Sequence, residues 1–343
     1  AGMPDLTLED IAAKVGVSRS TVSRVLNGHP NVRKEVRERV LAAIEQTGFH
    51  PNAAARALAS QRSWTIGLLL PHSVSLFFTD PYYPHLVKGI AQACNHLDYT
   101  LAFFLVDDKD DEERIFSRVS RNGFLDGVLV QSGHHGDQRI IGRLVDARIP
   151  QVVVGRPMRS DNVSYIDMDN VHAAYTAVSH LLRLGRRRIA TITGPEQSTV
   201  GVDRKAGYVK ALGERDLPVD PALVVEGDFT EMGGYYSMQA LLAARPDAVF
   251  AASDIMAVGA IRAIHEAGLR VPEDVAVVGF DDLPLAAMTD IQLTTVRQPV
   301  VSFGYRAVEL LTDLIQSGDP SPRHVIMDTK LIVRGTCGAL ARK

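Results

Sequence analysis

The apolar positions near the start of the chain recur at helical spacing in two short segments. Segment 8–15 has one apolar face, and Thr7 with Asp10 forms a variant of the capping box at its start. Segment 19–26 has valine and leucine on one face and arginine and hydroxyl side chains on the other. Because Gly16 separates the two segments, the pattern predicts a helix, a tight turn and a second helix.

A third segment, 31–49, also has apolar residues at helical spacing, and Gly48 marks its end. Its apolar positions are Val36, Val40, Leu41 and Ile44. We expect the three helices to enclose one small core. The core positions are Ile11, Val15, Val22, Leu26, Val40 and Ile44. A core of this size is marginal by itself.

The polar face of the second helix is the first candidate for chemistry. It has almost no acidic group, and it ends in Arg24. A helical hairpin kept for packing has no need of such a face, whereas a helix in the major groove of DNA uses arginines and hydroxyls. We therefore predict DNA binding, with Arg19, Ser20 and Arg24 on base edges. The wider set comprises Ser18, Thr21, Ser23 and Asn31, expected on phosphates, together with Thr7 and Asn27.

The charge of the chain is distributed unevenly. The whole sequence of 343 residues has a net charge of −3. Residues 1–62 contain nine Lys and Arg against six Asp and Glu, a net of +3, so the remainder carries −6. Attraction to phosphates therefore belongs to the N-terminal segment, and the large acidic remainder is expected to have another role.

Length and composition exclude several classes of protein. A chain of 343 residues with 46% hydrophobic content predicts two or three folding units. It has no apolar run of bilayer length and no secretory signal pattern, so we expect a cytoplasmic, nucleoid-associated protein with no membrane partner. Cys94 and Cys337 lack metal-ligand spacing, so we expect reduced thiols, no metal and no cofactor.

Beyond residue 63, short aliphatic runs alternate with amphipathic helical segments. The runs are 66–70, 101–106, 128–131, 152–155, 189–193, 249–252 and 275–280. Buried parallel strands joined by crossover helices give this pattern, so the sequence predicts an α/β core. About 280 residues of this pattern is long for one sheet, and we therefore expect two lobes.

Segment 50–63, which joins the two parts, is short and rich in alanine. Pro51 suits a helix start, but the helical stretch has about nine residues, fewer than the roughly 12 to 15 that an isolated helix needs. The segment is either a plain linker or a hinge that becomes helical on DNA, with Leu58 as a wedge in the minor groove. In the second case the DNA-binding set gains Asn52, Ala55, Arg56 and Leu58.

Nine motifs along the chain match one known family when they are taken together. The first three are TLEDIAAKVGVSRSTVSRVLNG, PNAAARAL and TIGLLLP. The others are DPYYPHLVKGI, DGVLV, GPEQSTVGVDRKAGY, SDIMAVGAIRAI, VPEDVAVVGFDD and LTTVRQP. Each motif is weak alone, but together they cover nearly the whole chain. In this combination the sequence resembles the lactose repressor (LacI/GalR) family of bacterial transcriptional regulators.

The resemblance implies a fold and a domain organisation. It implies an α/β fold with a three-helix helix-turn-helix headpiece (1–50), a hinge helix and linker (51–63), and a two-lobed core with parallel sheets (64–343). The core would resemble periplasmic binding proteins. Lobe 1 is expected to comprise about 64–168 and 298–327, and lobe 2 about 169–297 and 328–343.

Polar and aromatic residues follow several of the aliphatic runs, at the edge where parallel sheets bind ligands. They include Asp80, Tyr82, Tyr83, Gln131 and Arg156. The family resemblance implies an effector arginine at Arg204, an aromatic platform at Phe229, and polar contacts from Gln131, Ser253 and Asp281. Ser198, in the same motif as Arg204, completes the set of candidate effector-binding residues. An aromatic face with arginine and carboxylate hydrogen bonding suits a sugar ring.

Some of these residues also have a plain structural interpretation. Asp254 and Asp282 are equally suited to capping helices. Tyr82, Tyr83 and Phe229 are equally suited to packing under their own loops. Position 253 is an amide in the lactose-type members and a serine in this chain, so the resemblance leaves the identity of the effector open.

The sequence therefore favours a homodimeric repressor that binds palindromic operator DNA under the control of a small-molecule effector, a mono- or oligosaccharide, bound between the lobes. The lack of a heptad tail favours a dimer over a tetramer. A corepressor-dependent regulator that responds to a non-sugar metabolite is the main alternative. A solute-binding transport protein shares the expected core but has no use for a basic headpiece, and the sequence has no catalytic motif typical of an enzyme.

Overall fold

A computed structural model describes residues 6–26, 31–49, 62–70, 74–106, 108–121, 123–132, 137–159, 162–288 and 290–339. The chain divides into two compact units, Ala1–Ser63, which contains the headpiece, and Trp64–Lys343, which is the core. The segment predicted to form the hinge, apart from residues 62 and 63, lies outside the described residues.

The headpiece contains helices α1 (Leu8–Val15), α2 (Arg19–Leu26) and α3 (Lys34–Thr47). The capping box at the start of α1 is complete, because the Thr7 amide donates to the Asp10 carboxylate and the Asp10 amide donates to the Thr7 hydroxyl. Gly16 ends α1 in the left-handed conformation, with φ of 70°. These local signals explain why the chain turns sharply between α1 and α2.

The headpiece core is small. Ile11, Val22 and Val40, one from each helix, are completely buried, and Phe49 closes the core after α3. Leu41, which the spacing assigned to the apolar face, is instead exposed at 49%. It lies one residue beyond Val40, about 100° further around the helix, so it faces away when Val40 faces inward.

The core alternates strands and helices along the chain. Its strands are β1 (Thr65–Leu70), β2 (Thr100–Leu105), β3 (Gly127–Gln131), β4 (Gln151–Val154), β5 (Ser164–Met168), β6 (Ile189–Thr193), β7 (Val224–Glu226), β8 (Ala248–Ala251), β9 (Ala276–Asp281), β10 (Thr294–Arg297), β11 (His324–Met327) and β12 (Lys330–Ile332). Its helices are α4 (Val74–Thr79), α5 (Tyr82–His96), α6 (Lys109–Val119), α7 (Gln138–Asp146), α8 (Asn170–Arg183), α9 (Thr199–Gly213), α10 (Glu231–Leu242), α11 (Asp254–Glu266) and α12 (Val300–Ser317).

The described strands form two six-stranded sheets. In the first, the order is β11-β5-β4-β3-β1-β2 and every neighbouring pair is parallel, with Ile66 of β1 opposite Leu101 on one side and Gly127 on the other. In the second, the order is β12-β10-β9-β8-β6-β7, and β12 is antiparallel to β10. Both faces of a parallel sheet are covered, so its central strands are almost wholly apolar.

Each sheet is the centre of one lobe. The chain passes from the first sheet to the second after β5, returns after β10, and passes to the second sheet again after β11. Helix α12 packs on the first sheet through Phe303 and Leu311. This architecture confirms the α/β fold with a helix-turn-helix headpiece and a two-lobed core that the sequence predicts.

Two further properties of the described residues concern the membrane and metals. None of their helices combines the length and the apolar character that crossing a bilayer requires. Among the same residues, histidines, cysteines and carboxylates form no group of three or more that could hold a metal ion.

Candidate functional site

One pocket of the core, which we call the main pocket because it brings together most of the candidate effector residues, lies between the carboxyl ends of the strands of both sheets, where parallel sheets bind ligands. Nine of the ten candidate effector residues line it, and these are Asp80, Tyr82, Tyr83, Gln131, Ser198, Arg204, Phe229, Ser253 and Asp281. The cavity has a volume of about 100 Å³. It is therefore well above the roughly 10 to 15 Å³ needed to hold one water molecule, and it can hold a small polar group.

Arg204, on α9, is the central charged group of the pocket and is only 4% exposed. Its Nε donates to Asn170 Oδ1 at 3.0 Å, and its Nη1 donates to the carbonyl of Ala252. The same Nη1 lies 3.6 Å from Asp281 Oδ1, and the guanidinium stacks 3.5 Å over the ring of Phe280. Arg204 is thus held in one orientation by four different groups.

Asp281, at the end of β9, has an unusual backbone conformation, with φ of 121°. Gln298, in the connection that returns the chain to the first lobe, donates its amide to the Asp281 carbonyl at 3.2 Å and its side-chain Nε2 to the Asp281 carboxylate. Burial raises the pKa of Asp281 to about 7, although the charge of Arg204 opposes this shift. Gln298 and Arg204 therefore hold the buried carboxyl group of Asp281, whose backbone is strained, at the wall of the pocket.

Two more carboxyl groups line the pocket from the first lobe. Burial is the main cause that raises the pKa of Asp80 to about 6, and it does the same for Asp167. Asp167 accepts a hydrogen bond from Asn170 Nδ2 at 3.3 Å, and Asn170 also accepts from Arg204. A chain of hydrogen bonds and one ion pair thus connects the Asp167 carboxylate at the end of β5 to Asp281 at the end of β9.

The pocket also has apolar and hydroxyl groups. Tyr82 and Tyr83 pack edge to face with ring centroids 5.6 Å apart, and both line the pocket from the first lobe. Phe229 lines it from the second lobe. Ser198 and Ser253 line the pocket while their hydroxyls cap helices α9 and α11, so the two helix starts are fixed at its wall.

Gln131, at the end of β3, lines the pocket and has a buried side-chain acceptor. Its Oε1 is buried, and within the described residues it has no hydrogen-bond partner. A buried acceptor without a donor costs about 1 to 3 kcal/mol, and a ligand hydroxyl removes that cost. Gln131 is therefore a position where a ligand with hydroxyl donors gains binding energy.

Arg156 is the candidate effector residue that the structure does not place in the pocket. Its guanidinium donates to both carboxylate oxygens of Asp203 on α9, at 2.6 and 2.7 Å. Its carbonyl accepts from the Thr199 hydroxyl at 2.8 Å. Arg156 belongs to the first lobe and Asp203 to the second, so this residue joins the two lobes at the edge of the cleft.

Asp254 and Asp282, which the sequence suited equally to capping helices and to binding a ligand, do not cap the helices that follow them. Ser253 is the N-cap of α11, and Leu283 precedes the short 3-10 helix Pro284–Ala287. Asp254 is completely buried and accepts from the amide of Leu283 at 3.0 Å and from the Thr295 hydroxyl. Asp282 pairs with Arg297 and Arg334, at 2.6 Å in each case. Neither aspartate lines the main pocket.

Eight pocket-lining residues were not among the candidates. They are Ser132, Gly155, Asp167, Met168, Asn170, Val200, Gln298 and Phe303. Asp167 and Gln298 lie where the chain passes between the lobes, in segments that the sequence predicted only as lobe boundaries. The sequence feature that could have identified Asp167 and Gln298 as pocket residues is that each is a polar residue at a predicted connection between the lobes.

The described DNA-binding candidates of the headpiece lie on α2 or close to the starts of the three helices. Arg19, Ser20 and Arg24 are exposed on α2, and Arg19 Nε lies 3.0 Å from Glu9 Oε1 of α1. The Ser18 hydroxyl accepts from the Thr21 amide at 3.2 Å and so caps α2. Thr7, Ser23 and Asn31 are also described, and Thr7 and Asn31 are exposed.

Five further candidates lie outside the described residues. They are Asn27, Asn52, Ala55, Arg56 and Leu58. The described DNA-binding candidates, however, form an exposed surface of arginine and hydroxyl groups on and around α2. Such a surface can contact phosphates and base edges, whereas the core pocket can enclose a small polar molecule.

Comparison with known proteins identifies the class. Residues 7–52 match the model of the bacterial regulatory proteins of the lacI family, and residues 178–337 match a periplasmic binding protein-like domain. The regulator CelR of Thermobifida fusca is 39% identical over 332 residues, which cover 96% of this chain and 97% of CelR. The regulator AglR of Rhizobium meliloti (strain 1021) is 36% identical, with 97% of this chain and 94% of AglR covered.

Solved structures agree with this result. A complex of CelR with cellobiose has a TM-score of 0.76 and 37% identity, covering 96% of this chain and 99% of that one. A lac repressor dimer bound to operator and the anti-inducer ONPF has a TM-score of 0.79 and 29% identity, covering 97% and 99%. The chain therefore belongs to the lacI family of bacterial regulatory proteins, and it is a helix-turn-helix transcriptional regulator.

Proposed function

We propose that this protein is a repressor that binds a palindromic operator as a homodimer and releases it when an uncharged saccharide occupies the pocket of the core. The headpiece surface on α2 supplies the DNA contacts. Because two identical headpieces related by a two-fold axis contact two mirrored half-sites, a homodimer is matched to a palindrome. The same geometry supports the sequence-based assignment of Arg19, Ser20 and Arg24 to base edges.

The choice of a saccharide as ligand rests on one observation: hydrogen-bond acceptors outnumber charged donors in the pocket. Asp80, Asp167 and Asp281 supply carboxylate oxygens and Gln131 supplies an unpartnered amide oxygen, while Arg204 is the central cationic donor. Saccharide hydroxyls donate hydrogen bonds to such acceptors, and Tyr82, Tyr83 and Phe229 provide apolar faces for the sugar ring.

The same charges select against anionic ligands. Arg204 is already surrounded by Asn170, Ala252 and Asp281, so an incoming phosphate or carboxylate would face more negative than positive groups. We therefore expect neutral sugars to bind and phosphorylated sugars to be rejected. The complex of CelR with cellobiose makes cellobiose the natural first probe.

The size of the cavity suggests how ligand and lobes are coupled. A volume of about 100 Å³ lies below the roughly 300 to 1,000 Å³ that is usual for ligand pockets, so a disaccharide requires the lobes to part further than they do in this structure. Saccharide and operator then favour different lobe arrangements, and a difference in affinity of 1 to 3 kcal/mol between those arrangements is typical of such coupling. The connection through residues 51–63 would transmit the change to the headpiece.

A panel of ligands tests this proposal. The thermal unfolding midpoint of the full chain is measured with cellobiose, maltose, glucose and glucose 6-phosphate. Operator duplexes are selected from a random library, and their binding is then measured with and without the saccharide that stabilises most. The proposal expects stabilisation by at least one neutral sugar and weaker operator binding in its presence; stabilisation by glucose 6-phosphate alone would contradict it.

The second candidate function is a corepressor-dependent regulator that binds a neutral non-sugar metabolite. The three aromatic rings of Tyr82, Tyr83 and Phe229 favour it, because the face of an aromatic ring can also stack on a flat heterocycle. The two candidates differ in the sign of the ligand effect. A corepressor strengthens operator binding, whereas the proposed saccharide weakens it.

A further inference from the structure

The ring of Phe229 lies directly on a glycine that is not itself part of the pocket wall. Gly194 follows β6, and a Cβ atom built on it would lie 2.9 Å from Phe229 Cε2 and closer still to Cζ. The aromatic ring therefore occupies the space that any side chain at position 194 would need. Phe229 is also the residue through which the second lobe offers an aromatic group to the pocket.

The position of a side chain at residue 194 is bounded by backbone as well as by the ring. A Cβ atom on Gly194 would lie 3.0 Å from Gly201 Cα in the first turn of α9, and a Cβ atom on Gly201 would lie 2.7 Å from the Gly194 carbonyl carbon. That turn is fixed by the Ser198 cap, because the Gly201 amide donates to the Ser198 hydroxyl at 3.4 Å. A side chain at position 194 would therefore meet the ring of Phe229 most closely, and of its two neighbours the ring is the one that can rotate away.

The backbone on both sides of Phe229 is also fixed. Phe229 has φ of 60°, and the next residue, Thr230, donates its amide and its hydroxyl to Asp228 at 2.9 and 2.7 Å. Thr230 in turn caps α10 by accepting from the Gly233 amide at 2.9 Å. The ring of Phe229 can therefore yield to a new neighbour mainly by rotating, and the free space beside it is the ligand cavity.

We propose that Gly194 is a specificity-determining residue of the pocket. By lacking a side chain, it sets how far the Phe229 ring stands from the opposite wall, and hence how large a sugar ring fits between them. This inference rests on the proposed function, because it assigns the space beside Phe229 to a saccharide. It makes Gly194 a positioning residue, which acts on the ligand through Phe229.

The test is Gly194→Ala in the full chain, with cellobiose affinity measured by calorimetry. Displacement of the ring into the cavity is expected to weaken binding by about tenfold or more, the effect of one misplaced methyl-sized group in a pocket. Gly213→Ala is the matched control, because Gly213 lies at the end of α9 and a Cβ atom there meets nothing within 4 Å. This control should bind cellobiose within about twofold of the parent chain.

A Phe229→Ala background distinguishes an effect of Gly194 on the position of the ring from a general loss of stability. In a Phe229→Ala background, Gly194→Ala should change cellobiose affinity by less than about twofold, because the clash with the ring is gone and only the 3.0 Å approach to Gly201 Cα remains. The same pair of substitutions is measured by unfolding midpoint without ligand, where Gly194→Ala should destabilise the parent chain more than the Phe229→Ala chain. Equal effects in both backgrounds, or an unchanged affinity of Gly194→Ala, would overturn the proposal.

The two readouts also keep this inference distinct from the proposed function. If the parent chain binds no saccharide of the panel, the proposed function is contradicted. The unfolding midpoints then decide whether Gly194 positions the ring of Phe229: coupling between the two positions supports that part, and additive effects overturn it.

Discussion

The arginines of the headpiece and the arginine of the ligand pocket differ in how they are held. Arg19 and Arg24 are exposed on α2, and the Arg19–Glu9 pair has side chains that are 66% and 60% exposed. Arg204, in contrast, is buried among Asn170, the Ala252 carbonyl and Asp281. The same side-chain type is therefore used in two different ways in one chain.

This difference matches the two partners we propose. An exposed ion pair contributes about 0 to 1 kcal/mol, so Arg19 can exchange Glu9 for DNA at small cost. A buried guanidinium with several partners is expensive to move, and so it fixes the geometry of a pocket before the ligand arrives. The headpiece is suited to a large polyanion that brings its own charge, and the core to a small neutral molecule.

The largest expected effect comes from removing the buried arginine. Arg204→Met leaves Asp281 and Asn170 without their partner inside the core. We expect the free energy of unfolding to fall by about 3 to 5 kcal/mol and saccharide binding to be lost. Chemical denaturation followed by circular dichroism measures the first effect, and calorimetry measures the second.

Arg215→Met is the control for this substitution, because Arg215 is exposed in the same lobe. Its free energy of unfolding should stay within about 0.5 kcal/mol of the parent value. Equal stability of the Arg204 and Arg215 variants would contradict the assigned role of the buried arginine.

The second-largest effect is expected on operator affinity when the exposed Arg24 is removed. Arg24→Ala should weaken binding to the selected operator by about 1 to 3 kcal/mol and relax the preference at one base pair, while saccharide affinity stays the same. Lys14→Ala removes a charge from the exposed end of α1 and should weaken binding without altering base preference. If Arg24→Ala retains full selectivity among operator variants, Arg24 does not contact a base edge.

The buried carboxyl groups predict how saccharide affinity depends on pH. Burial raises the pKa of Asp80 and of Asp167 to about 6 and that of Asp281 to about 7. Because sugar hydroxyls donate to the ionised carboxylates, affinity should increase as the pH rises from about 5 to about 7, by at most about tenfold per pH unit for each carboxyl group, and then level off. Asp167→Asn should flatten the lower part of this profile.

The stability of the ligand-free chain should depend on pH in the opposite direction. A carboxyl group with a raised native pKa stabilises the fold most below its unfolded value of 3.8, and this contribution is lost as the pH rises through the native pKa. The unfolding midpoint measured from about pH 4 to about pH 7 tests this. A saccharide affinity that falls over the same range would contradict the proposed acceptor role of the carboxylates.

The smallest effect is expected at the edge of the cleft. The Arg156–Asp203 pair joins the lobes but is partly exposed, with side-chain exposures of 34% and 15%. Arg156→Gln should therefore alter saccharide affinity by about 1 kcal/mol or less. The exchanged pair, Arg156→Asp with Asp203→Arg, should recover part of the change, and independent effects of the two positions would argue against a contact between them.

Local rules predicted much of this molecule. The spacing of Thr7 and Asp10 predicts the start of α1, and the aliphatic runs predict the central strands because both faces of a parallel sheet are buried. The strand β5 (Ser164–Met168) was not among the predicted runs, because it includes a serine and an aspartate, yet all five of its residues are buried. Missing that strand also concealed Asp167 as a pocket residue.

The remaining differences come from tertiary contacts. Arg156 lies just after the carboxyl end of a strand, where ligand-binding residues are expected, but its guanidinium pairs with Asp203 of the other lobe. No local pattern reveals that pairing, because the two residues are 47 positions apart. The ring of Phe229 likewise depends on Gly194, a contact between two loops that the sequence does not connect.

The central claim is that occupancy of the core pocket controls the affinity of the headpiece for DNA. The most direct measurement is a pair of titrations: operator affinity with and without saturating saccharide, and saccharide affinity with and without saturating operator. The account predicts that each ligand weakens the other by the same factor, about 5- to 150-fold, because linkage is reciprocal. Tight saccharide binding in the pocket with an unchanged operator affinity would contradict it.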